Sequence, residues 1–364
     1  VVPATEEAEA KQEDESELTL IETSLDNYSS MRENSVDAQI EIERVVARRF
    51  AARVKKSHAK RRFVRGSNSR MAILVKVKDD GSKKRRLIVD AKRSGVNALA
   101  RVPERVVLPR LGDAVWMMLT MFRTLLALGL LLPEKATAAV DFGVELVNGD
   151  FSDAYFHFRV HPEELKHCLS PDILPENLLL WVHMFFGLKA APLLWCRFAA
   201  AVSRCISGMV EIWEMMQQLY LDDPLLIVAG TKAQRRYFIT MYFMTIRLLG
   251  IEMAWHKCSR GLQLVWIGIL FTLNLTKLTI EVTLPAKTLN QLRCEAIAIK
   301  GQAVVAAARL RTFTGRLCWV SGVLPRVRWV VRVLYAVLTK HERWMKARAL
   351  QPVRPRRTPD CMIH

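Results

Sequence analysis

The alternation of apolar and polar positions along the chain predicts a mixed α+β fold built on antiparallel hairpins. Apolar runs flank the turn signal Asp79–Ser82 in residues 71–93, and a second pair of apolar runs flanks Asp222 and Asp223. Residues 151–160 alternate apolar and polar positions, which predicts a half-buried strand directly after Asp150. Apolar residues recur every three to four positions after Pro192 and again over residues 284–347, which predicts helices.

One long apolar stretch, residues 115–132, raises the question of a membrane span. The stretch is 18 residues long, but Arg123 lies at its centre and Gly129 near its end. A central arginine is costly in lipid. The pattern therefore favours a buried helix, and the chain is expected to have no membrane association.

The charge is distributed unevenly. The chain of 364 residues carries a net charge of +18, and residues 1–45 contain 13 acidic against 3 basic residues. We predict that residues 1–45 are an acidic, disordered or loosely helical leader, although residues 36–56 could form a helix. The basic remainder is typical of proteins that follow phosphate backbones, but charge alone does not exclude ribosomal or chromatin binding.

The cysteine pattern indicates a reducing compartment. Seven cysteines are present, none of them in a CxxC pair. An odd number fits no closed disulfide framework, and no zinc-site spacing is found. We expect a cytoplasmic or nuclear protein that is not secreted. The first residue is Val, which suggests a piece of a longer polyprotein.

Three carboxylates are candidates for metal ligands. Asp222 and Asp223 are expected at the tip of a hairpin, and Asp150 at the edge of a neighbouring strand. Like charges side by side are costly unless a cation lies between them, although most such pairs are solvated turn residues. Three carboxylates that hold two Mg²⁺ ions, or Mn²⁺ in their place, are the arrangement used for phosphoryl transfer.

Six segments in a fixed order resemble the motifs of retroelement reverse transcriptases, most closely those of LTR and tyrosine-recombinase retrotransposons. These segments are Lys84–Asp90, Asp150–Phe156, Phe186–Pro192, Tyr220–Asp223, Gly250–Lys257 and Leu264–Gly268. The resemblance covers residues 70–340 and implies a right-hand polymerase. Its expected parts are fingers (46–138, with the apolar helix 115–132), a palm (139–275, an antiparallel sheet backed by helices, with 157–192 contributing to the fingers), a helical thumb (284–347) and a basic tail (348–364).

The resemblance implies roles for the catalytic and nucleotide-binding residues. Asp150, Asp222 and Asp223 would hold the metal ions, and Lys257 would protonate the leaving pyrophosphate unless it is an ordinary surface lysine. Tyr155 would exclude a 2′-hydroxyl unless it is simply a packing residue. The other residues expected to bind nucleotide are Arg86, Lys76, Lys78, Asp153, Phe186 and Gly187.

The resemblance also implies nucleic-acid contacts. The expected primer-binding residues are Tyr220, Trp266, Ile267 and Gly268, with core packing as the alternative for Trp266. The expected contacts to template or duplex are Lys84, Arg85, Lys189, Arg326 and Arg328. The thumb helices could equally form an oligomer contact, and the oligomeric state is left open.

The function that the resemblance implies is RNA-directed DNA synthesis in retrotransposon replication. The partners would be an RNA template, a DNA primer and dNTPs, with RNase H and integrase domains elsewhere in a longer polyprotein. Two alternatives stay open: a degraded nucleic-acid-binding relic, and another templated polymerase such as an RNA-directed RNA polymerase. Tyr155 and the basic segment argue against the RNA polymerase, and the intact acids argue against the relic.

Overall fold

A computed structural model describes residues 25–63, 66–78, 80–131 and 141–349. Residues 1–24 of the predicted leader and residues 350–364 of the predicted tail lie outside the described residues. The described part is a mixed helix and strand structure whose named strands all pair antiparallel, which confirms the α+β class.

The strands form four sheets. In chain order they are β1 (Ala51–Lys55), β2 (Met71–Val77), β3 (Lys83–Val89), β4 (Phe142–Asn148), β5 (Leu169–Pro171), β6 (Asn177–Trp181), β7 (Met215–Tyr220), β8 (Asp223–Thr231), β9 (Ser259–Gly261), β10 (Gln263–Trp266), β11 (Ile269–Asn274) and β12 (Thr279–Thr283). The sheet orders are β1-β6-β5, β2-β3, β7-β8-β4-β9 and β10-β11-β12.

The helices follow the predicted periodicity in most places. They are α1 (Ser29–Glu33), α2 (Ser35–Ala47), α3 (Lys56–Arg62), α4 (Val96–Leu99), α5 (Leu111–Ala127), α6 (Ala191–Ser207), α7 (Lys232–Leu248), α8 (Ala286–Lys300), α9 (Ala307–Val320) and α10 (Arg328–Ala349). Short 3₁₀ turns cover Ala154–His157, Pro162–His167, Trp255–Lys257 and Pro325–Val327.

The four-stranded sheet is the centre of the fold. Alternate residues of β8 point to opposite faces, as the two-residue period of a strand requires. Leu225 and Ile227 pack with α5 and the β10–β11 hairpin, whereas Leu226 and Val228 pack with α6 and α7. The central sheet is therefore covered on both faces. Its candidate functional side chains lie at the ends of β4, β7 and β8.

Within the predicted leader, residues 29–33 and 35–45 belong to α1 and α2, so this part follows the helical alternative and not the disordered one. Ala38, Ile42 and Val45 are buried against the apolar side of β2 and β3, because their spacing places them on one face of α2. The prediction was based on the acidic composition of the segment and did not take this apolar stripe into account. The suggested helix over residues 36–56 also ends early, since β1 begins at Ala51.

The strand predicted after Asp150 is absent: the chain turns there instead. Asp153 has a φ of 53°, and the 3₁₀ turn Ala154–His157 follows it. The side chains of Ala154 and Phe156 are still buried, so the alternation reflected burial and not an extended chain. Asp150 lies just beyond the end of β4, not at the start of a strand.

Residues 115–127 of the long apolar stretch belong to α5. The helix ends at Ala127, short of the predicted residue 132, and Gly129 has a positive φ of 65° just beyond it. Its buried side chains pack against the central sheet, which confirms a buried helix. Of the helices in the described ranges, none has both the length and the apolar character needed to cross a membrane.

Candidate active site

The acidic hairpin of β7 and β8 has a two-residue turn. Tyr220 pairs with Asp223, so Leu221 and Asp222 form the tip, and Leu221 adopts a φ of 53°. The Phe151 amide donates a hydrogen bond to the Asp222 carbonyl over 2.8 Å. That bond joins the tip to the segment that carries Asp150, so the prediction of a carboxylate hairpin beside Asp150 is confirmed.

Two indole groups hold this tip from opposite sides. Trp195 of α6 donates its Nε1–H to the Leu221 carbonyl over 2.9 Å, and Trp266 of β10 donates to the Asp223 carbonyl over 3.0 Å. Trp266 is only 2% exposed, which favours the core-packing alternative over a contact between its ring and the primer. Its ring is core, and its N–H fixes the backbone of the acidic hairpin.

The structure brings two of the three predicted metal ligands into one cavity. Asp150 and Asp222 line a cavity of about 450 Å³, whereas Asp223 lines a second cavity of about 380 Å³. The turn residue and the first strand residue face different sides of the hairpin. Among the described residues, no three Asp, Glu, His or Cys side chains lie together as a group able to hold a metal ion.

Burial and mutual repulsion act on the acids. Burial is the main reason that the pKa of Asp222 lies above its usual range, and the charge of Asp150 adds to it. Burial, followed by the charges of Asp222 and Asp150, raises the pKa of Asp223 to about 6. The charges of the other two carboxylates therefore affect the pKa of Asp223, even though Asp223 lines the other cavity.

Lys257, the predicted general acid, forms an ion pair with Asp150. Its Nζ lies 2.5 Å from Asp150 Oδ1, and the lysine side chain is 41% exposed. The lysine comes from the 3₁₀ turn Trp255–Lys257, and the Ala254 amide bonds the Asp150 carbonyl over 2.9 Å. The charge of Lys257 also lowers the pKa of Asp222 and of Asp223, against the effect of burial.

The basic hairpin of β2 and β3 supplies cations to the opposite wall. Lys84 and Arg86 line the larger cavity, whereas Lys76 and Lys78 do not. Arg86 lies with Cζ 5.8 Å from the centre of the Phe186 ring, and it forms no ion pair with a described carboxylate. Burial and then the neighbouring charges of Arg86 and Lys257 lower the pKa of Lys84.

Arg85 lines the larger cavity with Lys84 and Arg86, and it also binds a carboxylate of α2. Its Nε bonds the buried Asp37 of α2 over 2.8 Å, and Lys83 Nζ bonds the same carboxylate over 2.8 Å. A guanidinium bound to a buried carboxylate stabilises the hairpin against α2 and is poorly placed to grip a phosphate. Arg85 nevertheless lines the larger cavity, so its predicted contact with nucleic acid stays a prediction.

Tyr155 lies on the floor of the cavity. The 3₁₀ turn Ala154–His157 carries it, and its ring meets the Phe186 ring at 5.1 Å between centroids. The two rings, with Arg86 above Phe186, form one continuous surface in the cavity. Burial raises the pKa of the Tyr155 hydroxyl, so the group remains protonated.

Gly187 is required by the backbone of the basic hairpin. Its φ is 116°, and a Cβ there would lie 1.9 Å from the Val89 carbonyl oxygen. The space beside Gly187 is therefore occupied by the backbone of β3. Asn97, which the motifs did not indicate, donates to the Gly187 carbonyl and accepts from the Lys189 amide, each over 2.8 Å.

Asp153, predicted to bind nucleotide, is instead bound by two arginines of the N-terminal segment. Arg44 Nη1 lies 3.0 Å and Arg48 Nη1 2.6 Å from the same Asp153 oxygen. No motif pointed to these arginines; their signal was the spacing of Glu41, Arg44 and Arg48 along one helical face.

The smaller cavity lies between the acidic hairpin and the C-terminal helices. Tyr220, Asp223 and Ile267 line it together with Trp319 of α9. Ile267 and Gly268 form the two-residue turn between β10 and β11, both with positive φ. A Cβ at Gly268 would lie 3.2 Å from Trp319, which explains the glycine. Tyr220 and Ile267 thus lie together, as expected of neighbouring primer-binding residues.

The remaining predicted nucleic-acid contacts differ in accessibility. Lys189 Nζ lies 3.5 Å from the Ala100 carbonyl. Arg328 Nε donates to the Ser321 carbonyl at the end of α9 over 3.3 Å. Arg326 is exposed and forms no hydrogen bond or ion pair within the described residues. Of these three cations, Arg326 is the most available to a polyanion.

Comparison with known proteins identifies the fold. Foamy viral protease-reverse transcriptase dRH in complex with ds DNA matches with a TM-score of 0.57 and 12% identity, over 87% of this chain and 44% of that chain. The same viral protein matches in complex with dsDNA (TM-score 0.55, 13% identity, 84% and 52%) and with RNA/DNA hybrid (TM-score 0.52, 12% identity, 82% and 34%).

These matches show that the chain has a fold similar to that of a retroviral reverse transcriptase. The chain spans about a third to a half of those longer chains. No protein-family model matches the sequence, and no curated protein does.

Proposed function

We propose that this chain is the polymerase core of a retroelement reverse transcriptase, with fingers, palm and thumb. The observation that carries the proposal is the larger cavity, where Asp150 and Asp222 face a wall that bears Lys84 and Arg86. Carboxylates opposite cations are suited to a nucleoside triphosphate, whose reaction needs metal ligands at one end and phosphate ligands at the other. The fold of the structural neighbours supports the same reading.

The carboxylates suit Mg²⁺, which prefers oxygen ligands. Asp150 and Asp222 would hold it in the cavity, and Asp223 is a third ligand only if its side chain reorients. The raised pKa of Asp222 indicates a buried negative charge that a divalent cation would relieve. When bound, the ion would activate the attacking hydroxyl and neutralise charge on the leaving group.

The chain's own residues would place the nucleotide. Arg86 would bind the triphosphate, with Lys84 as the second cation, because these two side chains line the cavity. Tyr155 would lie beneath the sugar, where its ring leaves no room for a 2′-hydroxyl. Lys257 would have to leave Asp150 before it could donate a proton to pyrophosphate, since the ion pair occupies it in this structure.

The proposed partners are an RNA template, a DNA primer and dNTPs. The test is primer extension by the purified chain on an RNA template with Mg²⁺, first with dNTPs and then with rNTPs. We expect extension with dNTPs and its loss in the Asp222→Asn variant. Preferential extension with rNTPs would indicate an RNA polymerase.

A second outcome is favoured by a specific observation. Lys257 occupies Asp150 and Asp223 lines the other cavity, an arrangement that a site binding nucleic acid without catalysis would also allow. Tight binding of an RNA–DNA hybrid without extension under any of these conditions would indicate a nucleic-acid-binding relic. The Asp222→Asn variant is the control in the binding assay. If it binds the hybrid as tightly as wild type, its loss of extension is a loss of chemistry and not of substrate binding.

A further inference from the structure

Helix α2 contacts two different walls of the larger cavity. Near its start, the buried Asp37 binds Lys83 and Arg85 of the basic hairpin. Near its end, Arg44 and Arg48 bind Asp153, which precedes the 3₁₀ turn carrying Tyr155. One rigid helix therefore connects the cation-bearing wall to the tyrosine-bearing floor.

The charges at the Asp153 end of α2 are already matched. Arg44 also bonds Glu41 over 2.8 Å, and Arg48 also bonds Glu252. Two arginines thus face three carboxylates, so this cluster has no surplus positive charge for a phosphate. Its arginines are better suited to hold protein groups in place than to bind the triphosphate.

A continuous set of contacts leads from these arginines to Tyr155. Asp153 has a φ of 53°, which a residue other than glycine adopts only when its surroundings hold it there. Its carbonyl accepts the Phe156 amide over 2.8 Å and so begins the turn. Arg48 also lies over the Phe50 ring at 4.8 Å, and Phe50 stacks on Phe156 at 4.5 Å.

We propose that Arg44 and Arg48 are positioning residues, which hold Asp153 so that Tyr155 stands at a fixed height beneath the incoming nucleotide. This inference rests on the proposed function for its effect on substrate choice. It also corrects the role of Asp153, which acts on Tyr155 through the backbone and does not bind nucleotide through its carboxylate. Residues of the N-terminal segment would thus contribute to the choice between dNTPs and rNTPs.

The first test measures positioning without any catalysis. Hydrogen exchange of the amides of residues 152–158 should speed up about ten-fold in Arg44→Ala/Arg48→Ala and in Asp153→Asn, since losing either side of the ion pair frees the turn. Asparagine tolerates the left-handed conformation, so Asp153→Asn isolates the charge. Arg32→Ala removes an exposed arginine of α1 with no ion pair in the described chain and is the matched control.

The second test measures substrate choice. The ratio of kcat/KM for a dNTP to that for the matching rNTP should fall at least about three-fold in both variants, mainly through a lower KM for the rNTP, because a displaced Tyr155 ring leaves room for the 2′-hydroxyl. Combining Asp153→Asn with Arg44→Ala/Arg48→Ala should add little further loss, because both remove one interaction.

The outcomes are separable. Unchanged exchange at residues 152–158 would overturn positioning, whatever the activity. Faster exchange with an unchanged dNTP to rNTP ratio would overturn the link to specificity. A wild-type chain that extends no primer would defeat the proposed function, while the exchange experiment would still decide whether Arg44 and Arg48 position the turn.

Discussion

The two hairpins that face each other across the larger cavity are built in opposite ways. The acidic hairpin belongs to a four-stranded sheet covered on both faces, and Trp195 and Trp266 fix its two-residue tip. The basic hairpin is a two-stranded sheet whose tip is exposed. It is held by α2 and, at its base, by the Val89–Phe186 hydrogen bond of 3.0 Å.

This difference suits the two walls to different tasks in the proposed reaction. Groups that stabilise developing charge need a fixed geometry, because preorganisation is what makes them effective. Groups that admit and release a substrate benefit from low local stability. The buried acidic hairpin is suited to the chemical step, and the exposed basic hairpin is suited to nucleotide entry. Four predictions test the comparison.

The largest effect is expected at the rigid wall. Asp222→Asn or Asp150→Asn should lower kcat for primer extension by about 10²–10³-fold or more, because the lost carboxylate acts on charge that develops in the transition state. Affinity for template-primer, measured by fluorescence anisotropy, should stay within a few-fold of wild type. Extension at a near wild-type rate by either variant would show that the substituted carboxylate is not needed for the reaction.

The basic wall should affect binding before chemistry. Arg86→Ala should raise KM for dNTPs about 10–100-fold, the value of a charge-assisted contact of about 1.5–3 kcal/mol. Lys76→Ala is the matched control, since Lys76 lies on the same hairpin but outside the cavity. KM is measured by steady-state kinetics. If both variants raise KM for dNTPs equally, a cation inside the cavity contributes no more to nucleotide binding than one outside it.

How far the sequence predicted this site depended on whether the signal was local. The acidic hairpin was predictable, because its turn and its apolar flanks are adjacent in sequence. Asp222 and Asp223 are adjacent in sequence but line different cavities, which the sequence did not indicate. Core packing and primer contact both stayed open for Trp266, because the motif gives its position but not its burial.

Contacts between distant segments could not be predicted. The pairing of Arg44 and Arg48 with Asp153 joins residues more than a hundred positions apart, and the acidic composition of the first 45 residues favoured disorder. Gly187 was predicted to bind nucleotide, and only the fold shows that its backbone lies against Val89.

The third prediction tests what makes the acidic hairpin rigid. Trp195→Phe and Trp266→Phe each keep the aromatic packing but remove the N–H that the Leu221 or Asp223 carbonyl accepts. Each should lower the free energy of unfolding by about 1–3 kcal/mol, the cost of an unsatisfied carbonyl in a buried setting. Urea denaturation measures this loss, and an unchanged midpoint in both variants would show that the indoles do not anchor the tip.

The smallest effect concerns the pH dependence of stability at Asp223. Its pKa is about 6 in the folded protein against 3.8 for an unperturbed carboxyl, so ionisation costs more in the folded state. Stability should therefore fall as pH rises from about 4 to about 6 and stay lower above that. Asp223→Asn, which does not ionise, should be more stable than wild type above pH 6 by about 1 kcal/mol. The full shift would give about 3 kcal/mol, but partial exposure reduces it.

Thermal unfolding at pH 4 and pH 7.5 measures this difference, which should vanish at the lower pH. Repeating it with Mg²⁺ tests whether Asp223 joins the proposed metal site, since an ion bound by the folded state raises its stability. If Asp223 is a ligand, Mg²⁺ should stabilise wild type more than Asp223→Asn. If the cavity acids alone hold the ion, Asp223→Asn should keep the Mg²⁺ response and Asp222→Asn should lose it. A gain for Asp223→Asn that is equal at both pH values would mean that packing, and not charge, sets the stability of this hairpin.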